Sequence, residues 1–133
     1  MSVQDKNVSA VANVARECVV LIAPATANSQ SDLEVDEVIP GYPFEVVAVE
    51  VHATAVTATI SCDVKIGTTS VLASAITPVA NTATAGSLSA TRSARRGTST
   101  SVLRLHYTSN GSGAATALKA RVWIRPYPLN GEA

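Results

Sequence analysis

Residues 57–66 read TATISCDVKI, and the alternation within them decides the fold class. Ala58, Ile60, Cys62, Val64 and Ile66 fall on one side, and Thr57, Thr59, Ser61, Asp63 and Lys65 on the other. A period of two is the signature of a strand with one face in a core and one in water. An amphipathic helix would instead repeat its apolar residues every three to four positions.

The same logic extends along the chain. Alanine (22), valine (18), threonine (14) and serine (14) make up about half of the 133 residues. Branched side chains suit a pleated surface better than a helix, so the composition points the same way as the alternation. Further strands are expected over 13–23, ending at Pro24, over 33–39, and over 44–53 with Val47, Val49 and Val51 on one face. A short strand is expected over 70–74 and a poorly patterned connection over 78–86. Residues 100–108 place Leu103, Leu105 and Tyr107 inward and Arg104 and His106 outward. The last strand, 115–125, carries Leu118, Ala120, Val122 and Ile124 on one face and Lys119, Arg121, Trp123 and Arg125 on the other. Turns are marked by Pro40-Gly41, Gly67-Thr68-Thr69 and, most strongly, Asn110-Gly111-Ser112-Gly113, since asparagine and glycine tolerate the positive φ angles of tight hairpins.

About eight short strands with no crossover helix imply an all-β fold, an antiparallel β-sandwich in which a jelly roll is preferred to an immunoglobulin-like arrangement. One domain is expected: an N-terminal arm at 1–12, a single sandwich over 13–128 and a C-terminal tail at 129–133. Residues 7–15 also admit a short helix, since Val8, Val11, Ala12 and Ala15 share a helical face.

Ten acids balance ten bases, but unevenly. Residues 1–60 hold eight acids against two bases, and residues 61–133 eight bases against two acids. Either the halves interleave and neutralise one another within the sandwich, or the acidic part of one subunit meets the basic part of another. The second reading makes the protein a salt-sensitive homo-oligomer, because zero net charge removes the repulsion between copies.

Chemistry is sparsely encoded. Cys18 and Cys62 lack metal-ligand spacing and each lies in an apolar run, where a thiol acts as a small buried hydrophobe, the alternative being a disulfide between them. His52 and His106 fall on the polar sides of their strands and read as surface residues. Asp36-Glu37 is an adjacent carboxylate pair, but neighbours on a strand point to opposite faces. No nucleophile elbow, phosphate loop or dinucleotide fingerprint occurs, and no export signal or spanning segment. Hence no catalytic, cofactor-binding or metal-binding residues and no cofactors are expected. A small hydrolase or cupin would need clustered ligands, to which His52 with Glu50 is the nearest approach. The basic loop Arg92-Ser93-Ala94-Arg95-Arg96-Gly97 reads as a solvated loop, as a contact for an acidic protein surface or, lacking flanking aromatics, least of all as a nucleic-acid site. Trp123 covers a second small core or anchors an interface. Arg92, Arg95, Arg96, Arg121, Trp123, Asp36 and Glu37 are therefore the candidate protein-interface residues.

Residues 44–126, FEVVAVEVHATAVTATISCDVKIGTTSVLASAITPVANTATAGSLSATRSARRGTSTSVLRLHYTSNGSGAATALKARVWIRP, resemble a segment of small virion proteins of tailed bacteriophages. The resemblance rests on the order DVKIGTTSVL, TAGSLS, ARRG, the L-x-L-x-Y-T-x-N-G-S-G-A run and the closing R-V-x-I-R-P, and it covers about two thirds of the chain. It implies a head decoration or cement protein, often trimeric, on the capsid exterior. The partner would be the major capsid protein, and the protein would be made in the host cytoplasm. A membrane, nucleic acid or small molecule is not expected as partner. A tail-fibre or head-fibre module that binds receptor glycans is the alternative, with Tyr42, Phe44, Tyr107, Trp123 and Tyr127 as its stock of stacking aromatics. The resemblance carries over no individual residue role, and residues 1–43 lie outside it.

Overall fold

A computed structural model describes residues 16–23, 26–28, 33–57, 60–109 and 114–127. The expected arm at 1–12, the possible helix over 7–15, the turn at 110–113 and the tail at 129–133 lie outside the described residues.

The elements are β1 (Glu17–Ile22), β2 (Thr26–Asn28), β3 (Leu33–Val38), β4 (Phe44–His52), β5 (Ala55–Thr57) and β6 (Ile60–Ile66), followed by β7 (Thr69–Ser70) and β8 (Thr84–Ala85). A 3-10 turn (Arg92–Arg95) leads into β9 (Arg96–Gly97), β10 (Leu103–Ser109), β11 (Ala114–Thr116) and β12 (Lys119–Pro126). One sheet has the order β1-β12-β4-β8 with β9 also on β4, and the second has the order β3-β10-β6-β7. All of these pairs are antiparallel. A third small sheet, β2-β11-β5, repeats the order of the first because its strands continue β1, β12 and β4 past a bend. Ala23 N–H donates to the Leu118 carbonyl and Thr54 N–H to the Thr116 carbonyl across that bend, both at 2.9 Å, and Ala117 adopts a positive φ of 54° within it.

This order distinguishes a jelly roll from an immunoglobulin-like sandwich. Strands β1, β3, β4 and β6 alternate between the two large sheets, the chain returns to the first at β8, and the first described strand lies beside the last. Among the described strands β6–β7 is a hairpin within one sheet, turned at Gly67, whose φ of +62° a residue with a Cβ adopts only under strain. Inward side chains from both sheets form one core. It includes Leu21, Val49, Val51, Val122 and Ile124 from the first sheet and Ile60, Val64, Leu103, Leu105 and Tyr107 from the second. Each large apolar side chain buried there contributes about 1.5–3 kcal/mol relative to exposure.

Most expected strands are present, several with changed limits. The first begins at Glu17, within the expected 13–23. The expected 70–74 strand reduces to Thr69–Ser70, after which Leu72 makes only an isolated bridge to Leu88. The connection over 78–86 contains β8, which pairs with β4, and its Ala80 bridges Ala53, while Ile76 just before it bridges Cys62 of β6. It thereby closes one side of the sandwich. On the opposite side lie the edges β1 and β3, and there the Asp36 Oδ2 accepts the Ile22 N–H at 2.8 Å. A carboxylate on the edge N–H deters strand addition at that point.

Strand β4 departs most from simple alternation. Its register with β12 pairs Ala48 with Trp123 and Val46 with Ile124, so Val47 is the extra residue of a bulge. Phe44 and Val46 therefore turn into the core, and Val47, expected there, is only half-buried.

The cysteines divide as well. Cys62 is fully buried and burial pushes its thiol pKa up to about 12, whereas Cys18, expected to be buried, is exposed on the outer face of edge strand β1. One thiol of the native protein should therefore react with a small disulfide reagent at pH 8, and two in denaturant. Two equally fast thiols in the native state would contradict this placement.

Candidate functional site

The outer face of the β1-β12-β4 sheet collects most of the residues singled out above. Beyond the bulge, Glu45 points away from the core face, yet its side chain is only 2% exposed. Three guanidinium groups cover it. Arg125 Nη2 from β12 donates to Oε1 at 2.8 Å, Arg96 Nε from β9 donates to Oε2 at 3.2 Å, and Arg92 Nη2 from the 3-10 turn reaches both oxygens at 3.2 and 3.3 Å. Arg96 and Arg125 in turn lie over the Tyr127 ring, 3.9 and 5.6 Å from its centre.

Close backbone approach makes the cluster possible. Gly97 pairs with Phe44, and a Cβ on it would come 2.5 Å from the Phe44 ring, so only glycine lets β9 bring Arg96 alongside Glu45. Burial pushes the Glu45 pKa up, but the hydrogen bonds from Arg125 and Arg96 and the charge of Arg92 outweigh it and hold the carboxyl below its ordinary value.

The remaining ion pairs follow the same plan. Arg121 Nη1 meets Glu50 Oε1 at 2.7 Å and Arg104 Nε meets Glu37 Oε2 at 3.3 Å, each across neighbouring strands. Each of these pairs joins an acid of the first 60 residues to a base of the later ones. Interleaving of the two halves within one sandwich is thus realised. Of the expected interface residues, Arg92, Arg96, Arg121 and Glu37 engage partners within the chain, and Asp36 caps the β1 edge. Arg95 stands apart: its Nε is buried without a partner.

Trp123 sits half-buried on the outer face, between Cys18 of β1 and Ala48 of β4 in register. Beside it along β1 run Val20 and Ile22, 44% and 60% exposed. Apolar side chains on this edge, next to a tryptophan, form the most exposed hydrophobic strip of a named strand.

The histidines differ from expectation. His106 is 7% exposed, because β10 is a central strand paired with both β3 and β6. His52 is half-buried with its Nδ1 lacking a partner. Among the stacking aromatics, Phe44 and Tyr107 are wholly buried in the core and Tyr127 lies beneath arginines. A shallow cleft of about 200 Å³ between residues 74–77 and 84–87 is lined by alanine, serine, threonine, glycine and Ile76, without an aromatic ring. No group of three or more His, Cys, Asp or Glu side chains that could hold a metal ion occurs among the described residues, nor a helix long and apolar enough to cross a membrane.

Glu45, Arg125 and Tyr127 are the members that sequence reasoning missed. Their one legible sign was an acid within the apolar run Phe44–Val49, whose side could not be read without the bulge. Comparison of the chain with known protein families, with curated proteins and with solved structures returns no match.

Replacing Glu45 by Gln should cost about 2–4 kcal/mol at pH 7, since it leaves partly buried guanidinium groups unpaired. A carboxyl with a lowered folded pKa contributes its stability above its unfolded value, near 4.5, and loses it as the pH falls through the folded pKa. The wild-type advantage over Glu45→Gln, followed by urea unfolding, should therefore shrink below pH 4.5. An advantage that stays constant down to pH 3 would contradict the ion-pair account.

Proposed function

We propose that this protein is a non-enzymatic structural protein of a bacteriophage virion. It decorates or cements the capsid exterior by binding major-capsid subunits, acts as a homo-oligomer with a trimer favoured, and needs no cofactor. The observation that carries the reading is the outer face of the larger sheet, where Val20 and Ile22 stand exposed beside Trp123 while Arg121, opposite Val20, is paired with Glu50 within the chain. An apolar strip with a tryptophan, rimmed by polar groups, is the composition of a protein-contact surface.

The resemblance of residues 44–126 to small phage virion proteins supplies the class of partner. A jelly roll with a single core also suits a protein that must persist outside a cell without ligands. The glycan-binding alternative draws less support, because two of its five aromatics are in the core and the cleft presents none.

The test is to mix the purified protein with undecorated capsids and pellet them, alongside a Val20→Lys/Ile22→Lys variant. The wild type should co-pellet at a fixed stoichiometry, and the variant, with an unchanged melting temperature, should bind at least tenfold more weakly. Wild-type protein that stays in the supernatant, or a variant that binds equally well, would overturn the reading.

A further inference from the structure

The cluster over Glu45 has more positive charge than one carboxylate can balance. Arg92 and Arg96 both donate to it, Arg125 donates as well, and among the described residues no second carboxylate meets Arg92 or Arg96. Arg95, between them in sequence, makes no ion pair among the described residues, and its buried Nε has no acceptor.

Donor arithmetic makes the imbalance concrete. A guanidinium carries five N–H donors in a fixed fork, and a carboxylate offers about four acceptor sites. Glu45 draws on Nε of Arg96 and on one terminal nitrogen of Arg92, so most of their donors are turned elsewhere. Arg92 remains 59% exposed, so the cluster is open to solvent on that side. Like charges gathered around one acid repel one another, and a second anion beside them relieves that repulsion while satisfying the idle donors.

We propose that Arg92, Arg95 and Arg96 form an oxyanion-binding site above Glu45, taking a group with two or more charged oxygens. Phosphate or sulfate fits that description, and so does a pair of carboxylates on a partner's acidic surface. Glu45 then has a second task, holding two of the arginines in a fixed array before the ligand arrives, which lowers the ordering cost of binding. The site is independent of the apolar strip at Val20 and Ile22, and stands or falls separately from the capsid reading.

Thermal unfolding of the intact protein in 10 mM sodium sulfate or phosphate, against sodium chloride at equal ionic strength, tests it. For millimolar affinity the melting temperature should rise about 3–5 °C above the chloride control. Arg92→Gln and Arg95→Gln, both on the turn outside the core, should each keep the chloride melting temperature within about 2 °C and lose at least half of the anion increment. Repeating the scan with a short Asp/Glu peptide distinguishes the sources. A larger shift with peptide than with phosphate assigns the site to an acidic partner surface, and the reverse to a free oxyanion. Equal shifts in sulfate and chloride, or an undiminished increment in both variants, would overturn the proposal.

Discussion

The ladder between β4 and β12, with its bulge at Val47, is the constraint on which the rest of the structure depends. These two strands are central in the larger sheet, and β12 also carries β1. One extra residue in β4 reverses the facing of everything before it. Phe44 and Val46 thereby complete the core, and Glu45 is delivered to the outer surface where Arg125, Arg96 and Arg92 converge. Without the bulge, Glu45 would stand opposite Pro126 on the inner side of the sheet, and a charge in the sandwich interior is costly unless paired. The segment 92–97 is then held to the sheet by charge and by the Gly97 approach to Phe44 instead of by a long strand.

How much of this was readable from residues alone varies with the kind of pattern. Strands β6, β10 and β12 show clean alternation, and their inward residues Ile60, Val64, Leu103, Leu105, Val122 and Ile124 are buried as the period of two requires. The jelly-roll order agrees with the expectation from strand number and turn spacing. Where local pattern failed, a non-local cause is visible. The bulge in β4 is a property of its pairing with β12. The bridges of Ile76 and Ala80 need partners distant in sequence, and His106 is buried by neighbouring strands. Cys18 looked like a core residue because its run is apolar, but edge strand β1 turns Cys18, Val20 and Ile22 to the outside together. The basic loop was visible as a cluster, whereas its acid, 47 residues before Arg92, was not.

The division of charge along the chain acquires a structural meaning from these pairs. Acids of the first half and bases of the second meet across adjacent strands, so much of the asymmetry is neutralised inside one molecule. Exposed pairs of this sort contribute little each, typically under about 1 kcal/mol. The Glu45 cluster differs because its acid is buried and shared. The outer face keeps an exposed apolar strip on β1 at one place and the guanidinium groups around Glu45 at another, two chemically distinct surfaces.

The most direct measurement of the account is hydrogen–deuterium exchange of the protein free and bound to capsids. Slower exchange confined to residues 17–22 and the adjoining part of β12, with the remainder of the sandwich unchanged, is the predicted result. Protection confined to the cleft at 74–87, or no change anywhere on capsid addition, would contradict it and move the working surface away from the larger sheet.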